Sequence, residues 1–255
     1  ILAQMGELFG KYETGEYNKT GLVRDINTQV KRILKVATDY GFDDNLWHNY
    51  LTFFLMMSEN PFSMTCEKVG ASDGSVNELV ENDFRIFKEL FDYDFGPIEK
   101  DLGINCFSQI SNYKAIHKKD LMYNKNVSEK VRSLSKKLEA AKDEKEFFDA
   151  VTGFYKDYGV GMFGLNKAFR IDDTPQGSFT FRAINNMDTV MLDDLVGYEI
   201  QKKKLVDNTE AFVQGKKANN VLLFGDSGTG KSTSIKAIVN QYYKDGLRMI
   251  EIYKH

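Results

Sequence analysis

The clearest chemistry in this chain lies in Gly225-Asp226-Ser227-Gly228-Thr229-Gly230-Lys231-Ser232-Thr233. The first eight of these residues fit G-x-x-x-x-G-K-[ST], a spacing that suits phosphate. Glycines at 225, 228 and 230 can adopt backbone angles that a Cβ resists, so successive N–H groups can turn inward as an anion nest. A helix opening behind the loop adds unpaired N–H groups and the positive end of its dipole. Lys231 is then the catalytic candidate, placed to reach the β- and γ-phosphates of a nucleotide. The Ser232 hydroxyl is the candidate Mg²⁺ ligand. Residues 225–233 together are expected to bind the nucleotide.

Three elements must position this loop. Val221-Leu222-Leu223-Phe224 is an uninterrupted apolar run and reads as a fully buried strand. Thr233 to Val239 opens a helix that runs to about Tyr243. Arg248 to Ile252 reads as a second strand. Ahead of them, Met191 to Glu199 leads into a helix over roughly 199–214, and Gly215 to Asn220 forms a turn.

The 255 residues allow two ordinary domains or one large one. With 42% hydrophobic residues, 28% charged and 3 prolines, the chain is expected to pack cores and not to remain disordered. A net charge of −3 gives no global reason to expect nucleic acid. Cys66 and Cys106 sit in no metal or redox spacing and read as buried, reduced thiols. His48, His117 and His255 form no ligand pattern. The longest apolar run, Leu51 to Met57, is far too short to span a membrane, and residues 1–10 lack a basic leader. The expectation is a cytoplasmic protein.

Residues 1–165 read as helical. Val23, Ile26, Val30, Ile33, Leu34 and Ala37 form one stripe over 20–40, with Gly41 as its stop. A second helix is expected over 44–59, ended by Asn60-Pro61, with Trp47, Tyr50, Leu51 and Phe54 facing a core. Ser75 to Glu78 is a capping-box pattern. Residues 96–125 read as shorter helices and loops. Asn126 or Ser128 can cap the next helix, and Asp143 with Glu146 the one after, which ends at Gly159. Gly159 to Gly164 matches G-x-G-x-x-G, but it follows a helix where a dinucleotide loop follows a strand. It reads as a helix stop and flexible connector. Residues 167–171 and 178–183 alternate as a hairpin around Asp172 to Gly177. Charge is uneven: residues 39–101 hold 14 acidic and 4 basic side chains, and residues 112–145 hold 10 basic and 5 acidic. Two solvated faces account for this. Two faces opposed to each other, or a basic face turned to an acidic partner, are the alternatives.

The strings LDDLVGYE, NNVLLFGDSGTGKST and LRMIEIYKH resemble the opening of an AAA+ ATPase module. The fuller sequence is similar to a bacterial family of predicted AAA+ ATPases that places a helical region ahead of the ATPase core. The resemblance implies that Leu195, Val196, Gly197 and Tyr198 line an adenine pocket. It also implies ATP and Mg²⁺ as ligands, and a ring or loader-like homo-oligomer. The fold class expected is an α-helical N-terminal domain (1–165), a connector with a hairpin (166–190), and the N-terminal part of an α/β P-loop domain (191–255). The Walker B acids, the sensor, the arginine finger and the lid of that family have no counterpart here. A truncated chain, inactive alone, is the expectation.

Three functions fit these residues. The first is an AAA+ ATPase acting on a protein or nucleic-acid partner, with the helical region in recognition or regulation. The second is a P-loop kinase, for which GKST serves equally well. The third is a helical scaffold with a vestigial nucleotide site.

Overall fold

The computed structural model describes residues 1–71, 75–116, 123–173 and 177–253, apart from the side chains of Ser75 and Val76. The capping pattern at Ser75, the turn residues Thr174-Pro175-Gln176, and the histidines His117 and His255 lie outside the described residues. The chain divides into two compact units, Ile1–Lys156 and Asp157–His255.

The first unit is helical: α1 (Leu2–Thr14), α2 (Lys19–Tyr40), α3 (Leu46–Met57), α4 (Pro61–Val69), α5 (Ser75–Phe91), α6 (Gly96–Leu102), α7 (Cys106–Ser111), α8 (Lys125–Ala140) and α9 (Glu144–Tyr158). Helix α2 starts where the Asn18 side chain accepts the Gly21 N–H at 3.0 Å and stops at Gly41, whose φ is 67°. Its buried residues Leu22, Ile26, Val30, Ile33 and Ala37 recur every three or four positions, so one face is apolar. Helix α3 stops at Met57, short of Asn60-Pro61, and Pro61 instead opens α4. As the first residue of α4 it needs no N–H partner, and Asn60 and Ser63 cap that helix reciprocally. Asn124, and not Asn126 or Ser128, caps α8 by accepting the Val127 N–H at 3.2 Å. Ser128 lies inside the helix and donates to the Gly41 carbonyl at 3.0 Å. Asp143 and Glu146 cap α9 as their spacing indicates, with Glu146 N–H on Asp143 Oδ1 at 2.8 Å.

Aromatic rings fill this unit's core. Phe147 is fully buried and meets Phe91 edge-on at 5.2 Å, while Phe95 and Phe107 stack in parallel at 4.1 Å. Burying one such ring contributes about 1.5–3 kcal/mol. Trp47, Tyr50 and Leu51 belong to the core, as the stripe on α3 indicated, whereas Phe54 is 40% exposed. Cys66 and Cys106 are free and buried. No described helix is long and apolar enough to cross a membrane.

The second unit contains α10 (Gly161–Leu165), β1 (Ala168–Asp173), β2 (Phe179–Ala183), a 3₁₀ turn (Leu192–Asp194), α11 (Glu199–Val213), α12 (Lys231–Tyr242) and β3 (Met249–Glu251). The Gly159–Gly164 stretch leads into α10, and its two outer glycines lie in close contact. A Cβ on Gly164 would lie 2.3 Å from the Gly159 carbonyl carbon. β1 and β2 form the antiparallel hairpin, with Phe169 opposite Ala183 and Asp173 opposite Phe179. β3 adds to β1 in parallel, with Phe169 opposite Ile250, so the sheet order is β2-β1-β3. Leu192, Leu205, Ala237, Ile238 and Tyr242 form a small core between α11, α12 and the 3₁₀ turn.

The segment 221–224 departs from the sequence reading. It forms no strand among the described residues, and Val221, Leu222 and Phe224 are 48%, 82% and 86% exposed. A strand is buried only when neighbours cover its edges and faces. β3 bonds to β1, so among the described strands none covers these four residues.

Candidate functional site

Helix α12 begins at Lys231, directly behind Gly230, whose φ of 81° turns the chain into the helix. Gly225 and Gly228 also have positive φ, at 139° and 82°. A Cβ on Gly228 or Gly230 would meet nothing within 4 Å, so backbone angle and not space requires glycine there. Among the described residues, the N–H groups of Gly228, Gly230 and Lys231 donate to no protein acceptor. They are available to an anion at the positive end of α12.

The Lys231 side chain is folded over its own loop. Its ammonium donates to the carbonyls of Gly225 at 2.9 Å and Asp226 at 2.6 Å, and lies 3.3 Å from Thr229 Oγ1. Thr229 Oγ1 in turn donates to the Asp226 carbonyl at 2.9 Å. Ser234 secures the start of the helix, with its hydroxyl on the Gly230 carbonyl at 2.9 Å. The loop is therefore shaped by its own side chains before any ligand is present. Ser232 occupies the second helical position and is exposed, Thr233 is half-buried beside it, and Asp226 and Ser227 are exposed at the loop's outer side.

A cavity of about 490 Å³ opens beside this loop. Leu195, Val196, Gly197 and Tyr198 line it from one side, Leu222 to Phe224 from another, and Gly228 to Lys231 close its polar end. Segments some thirty residues apart in sequence thus meet at one site. Gly225, Asp226, Ser227, Ser232 and Thr233 belong to the loop but do not line the cavity. Tyr198 has φ 57° and is 58% exposed, and Val196 is 95% exposed, so this wall offers apolar surface to the cavity.

Sequence reading did not single out Gln201, Lys202 and Leu205, which also line the cavity. They follow Tyr198 at three, four and seven positions along α11, the spacing of one helix face, which is the signal that finds them. Lys202 fixes the approach segment: its ammonium donates to the Leu195 carbonyl at 2.8 Å and pairs with Glu199 at 2.8 Å. No described carboxylate lines the cavity, and no described group of His, Cys, Asp and Glu is arranged to hold a metal. Glu251 is engaged elsewhere, 2.9 Å from Arg170 Nε on the neighbouring strand.

A ladder of polar contacts holds α12 on the rest of its unit. Asn240 Nδ2 donates to the carbonyls of Asp188 at 2.7 Å and Val190 at 2.9 Å, and Asn240 Oδ1 accepts from Lys167 Nζ at 2.9 Å. Burial pushes the Lys167 ammonium below its ordinary pKa. Lys236 pairs with Asp188 at 2.6 Å. The helix that presents Lys231 is thereby tied to the segment leading to Leu195.

Comparison with known proteins bears on this unit. Residues 165–255 match a family model described as "Protein of unknown function (DUF815)". Over 58 residues the chain is 40% identical to the replication factor C large subunit of Methanococcus vannielii. Both similarities fall on the unit that carries the glycine loop. The match spans 23% of this chain and 12% of that relative. No solved structure matches the chain significantly. The helical first unit followed by a small mixed sheet and a glycine-loop helix agrees with a helical region ahead of the start of an α/β module.

Proposed function

We propose that the second unit binds ATP with Mg²⁺, and that the protein to which it belongs is an AAA+ ATPase coupling nucleotide hydrolysis to action on a protein or nucleic-acid partner. The observation that carries this reading is the single cavity joining Leu195–Tyr198 to Gly228–Lys231. Its two ends differ in chemistry as the two ends of a nucleotide do. The apolar wall suits a flat base, and the glycine loop offers unpaired N–H groups and an ammonium. The volume suits a ligand of nucleotide size.

In this reading the N–H groups of Gly228, Gly230 and Lys231 bind phosphate oxygens. Lys231 turns from the Gly225 and Asp226 carbonyls toward the β- and γ-phosphates, where its fixed charge opposes the negative charge that develops on transfer. Leu195, Val196, Gly197 and Tyr198 hold the base, and Lys202 keeps that segment in place. The Ser232 hydroxyl would hold Mg²⁺, which when bound supplies charge neutralisation on the phosphates. The general base and the remaining transition-state cation come from outside the described cavity. A cytoplasmic location, a homo-oligomer and a recognition role for the first unit complete the proposal.

Binding of a fluorescent ATP analogue to the chain, with and without Mg²⁺, tests it. Saturable binding competed by ATP and lost in Lys231→Ala supports the reading. Binding that is unaffected by that substitution overturns it.

A further inference from the structure

The first unit contains a cavity of about 220 Å³ that the nucleotide reading leaves without a role. One wall is a face of α8, with Arg132, Ser135, Lys136 and Glu139 at positions i, i+3, i+4 and i+7. The opposite wall is the Asp43-Asp44-Asn45 entry to α3, with Lys114 at the side. The acidic stretch 39–101 and the basic stretch 112–145 meet here, so the uneven charge seen in the sequence converges on a cavity.

The rim is rigid. Asp44 and Tyr113 exchange backbone hydrogen bonds at 3.0 Å, and Asp43 Oδ1 accepts the Ala115 N–H at 2.8 Å. Asp44 is held at φ 72°, a conformation that side chains other than glycine seldom adopt. Among the described residues, no hydrogen bond or ion pair engages the side chains of Lys114, Arg132, Lys136 or Asp44. Ser135 is only 5% exposed, and its hydroxyl has no described partner. Glu139 lies 3.8 Å from His48 Nδ1, a buried nitrogen with no hydrogen bond.

Three cationic side chains and three carboxylates line this one small space. A simple anion would meet the carboxylates, and a simple cation would meet the lysines and the arginine. A ligand bearing both charges can meet a cation and a carboxylate in the same space. The volume is below that of drug-sized ligand pockets, which run from about 300 Å³ upward. We infer that this cavity binds a small zwitterion, an α-amino acid, with its carboxylate on Arg132 and Lys136 and its ammonium on Asp44. The guanidinium fork suits a carboxylate in two-point contact, and the fixed rim lowers the ordering cost of binding.

The test is calorimetric titration of the full 255-residue chain with each of the twenty common L-amino acids. At least one is expected to bind, and Arg132→Gln and Asp44→Asn are each expected to weaken it about tenfold or more. The same amino acid with its amine acetylated or its carboxylate amidated should lose binding to a similar degree. Should either variant melt early, Lys136→Gln replaces it. Lys231→Ala should leave this binding unchanged, which separates the site from the nucleotide loop. The inference is overturned if none of the twenty binds, if the blocked forms bind as well as the free one, or if binding survives Arg132→Gln and Asp44→Asn.

Discussion

The ammonium of Lys231 donates to the carbonyl of Gly225 at 2.9 Å, so the residue best placed to hold a phosphate is holding the first glycine of its own loop. Two consequences follow from one bond. The loop is kept in a ring whose N–H groups stay free, and the lysine is in place at the cavity's polar end. In the proposed function, nucleotide binding exchanges these carbonyl partners for phosphate oxygens, a trade between acceptors and not a large refolding.

Removing that ammonium is therefore expected to weaken ATP binding by about tenfold to a hundredfold, the range for a lost charge-assisted hydrogen bond. Lys231→Ala and Lys231→Gln, titrated with the fluorescent analogue, measure this. The melting temperature without nucleotide should change little, because the lysine's partners are loop carbonyls near water.

Three glycines separate backbone angle from space. Gly230→Ala meets no atom but must hold φ 81°, and is expected to cost about 1–2 kcal/mol along with nucleotide affinity. Gly164→Ala places its Cβ 2.3 Å from the Gly159 carbonyl carbon and is expected to be the most damaging of the three, without touching the loop. Gly6, inside α1 with open space around it, should gain about 0.5–1 kcal/mol on substitution by alanine. Urea unfolding of the three variants gives the ranking, and a Gly164→Ala protein as stable as wild type would contradict it.

Glu99 should matter to the first unit out of proportion to its size. It is 8% exposed, and its carboxylate accepts the N–H groups of Phe107 at 2.8 Å and Ser108 at 2.9 Å and also the Ser108 hydroxyl. These are the donors that the start of α7 would otherwise leave unpaired inside the protein. Glu99→Ala is expected to cost about 2–3 kcal/mol, and Glu99→Gln less, as read from denaturant midpoints.

The sequence made some of this legible and hid the rest for physical reasons. Helix ends could be read at Gly41 and at Asp143 with Glu146, because capping is a local exchange of hydrogen bonds among residues a few positions apart. The glycine loop could be read for the same reason. Residues 221–224 could not, since burial of a strand belongs to its neighbours and not to its own composition. Asn124, Asn126 and Ser128 are all capping types a few residues apart, so residue type alone does not choose among them. Gln201 and Lys202 carry no motif; they line the cavity only because α11 turns that face toward it.

The ion pair between strands provides a test by pH. Burial alone would push the Glu251 carboxyl upward, but hydrogen bonds from Arg170 Nε at 2.9 Å and Tyr253 Oη at 2.9 Å outweigh it. They hold the group below its ordinary value of 4.5. A carboxyl depressed in the folded state stabilises fully above its unfolded pKa, and that stabilisation is lost as pH falls through the folded value. The difference in melting temperature between wild type and Glu251→Gln should therefore be constant from about pH 7 to about pH 5 and shrink once the pH drops below about 4.5. Arg170→Gln removes the largest of the opposing contacts, so in that background the decline should begin at higher pH. Because the pair joins β1 to β3, the loss should appear as fraying of the β3 edge, visible as faster amide exchange at Ile250 and Glu251. A difference that stays constant down to about pH 3 would show that Arg170 does not stabilise the ionised Glu251.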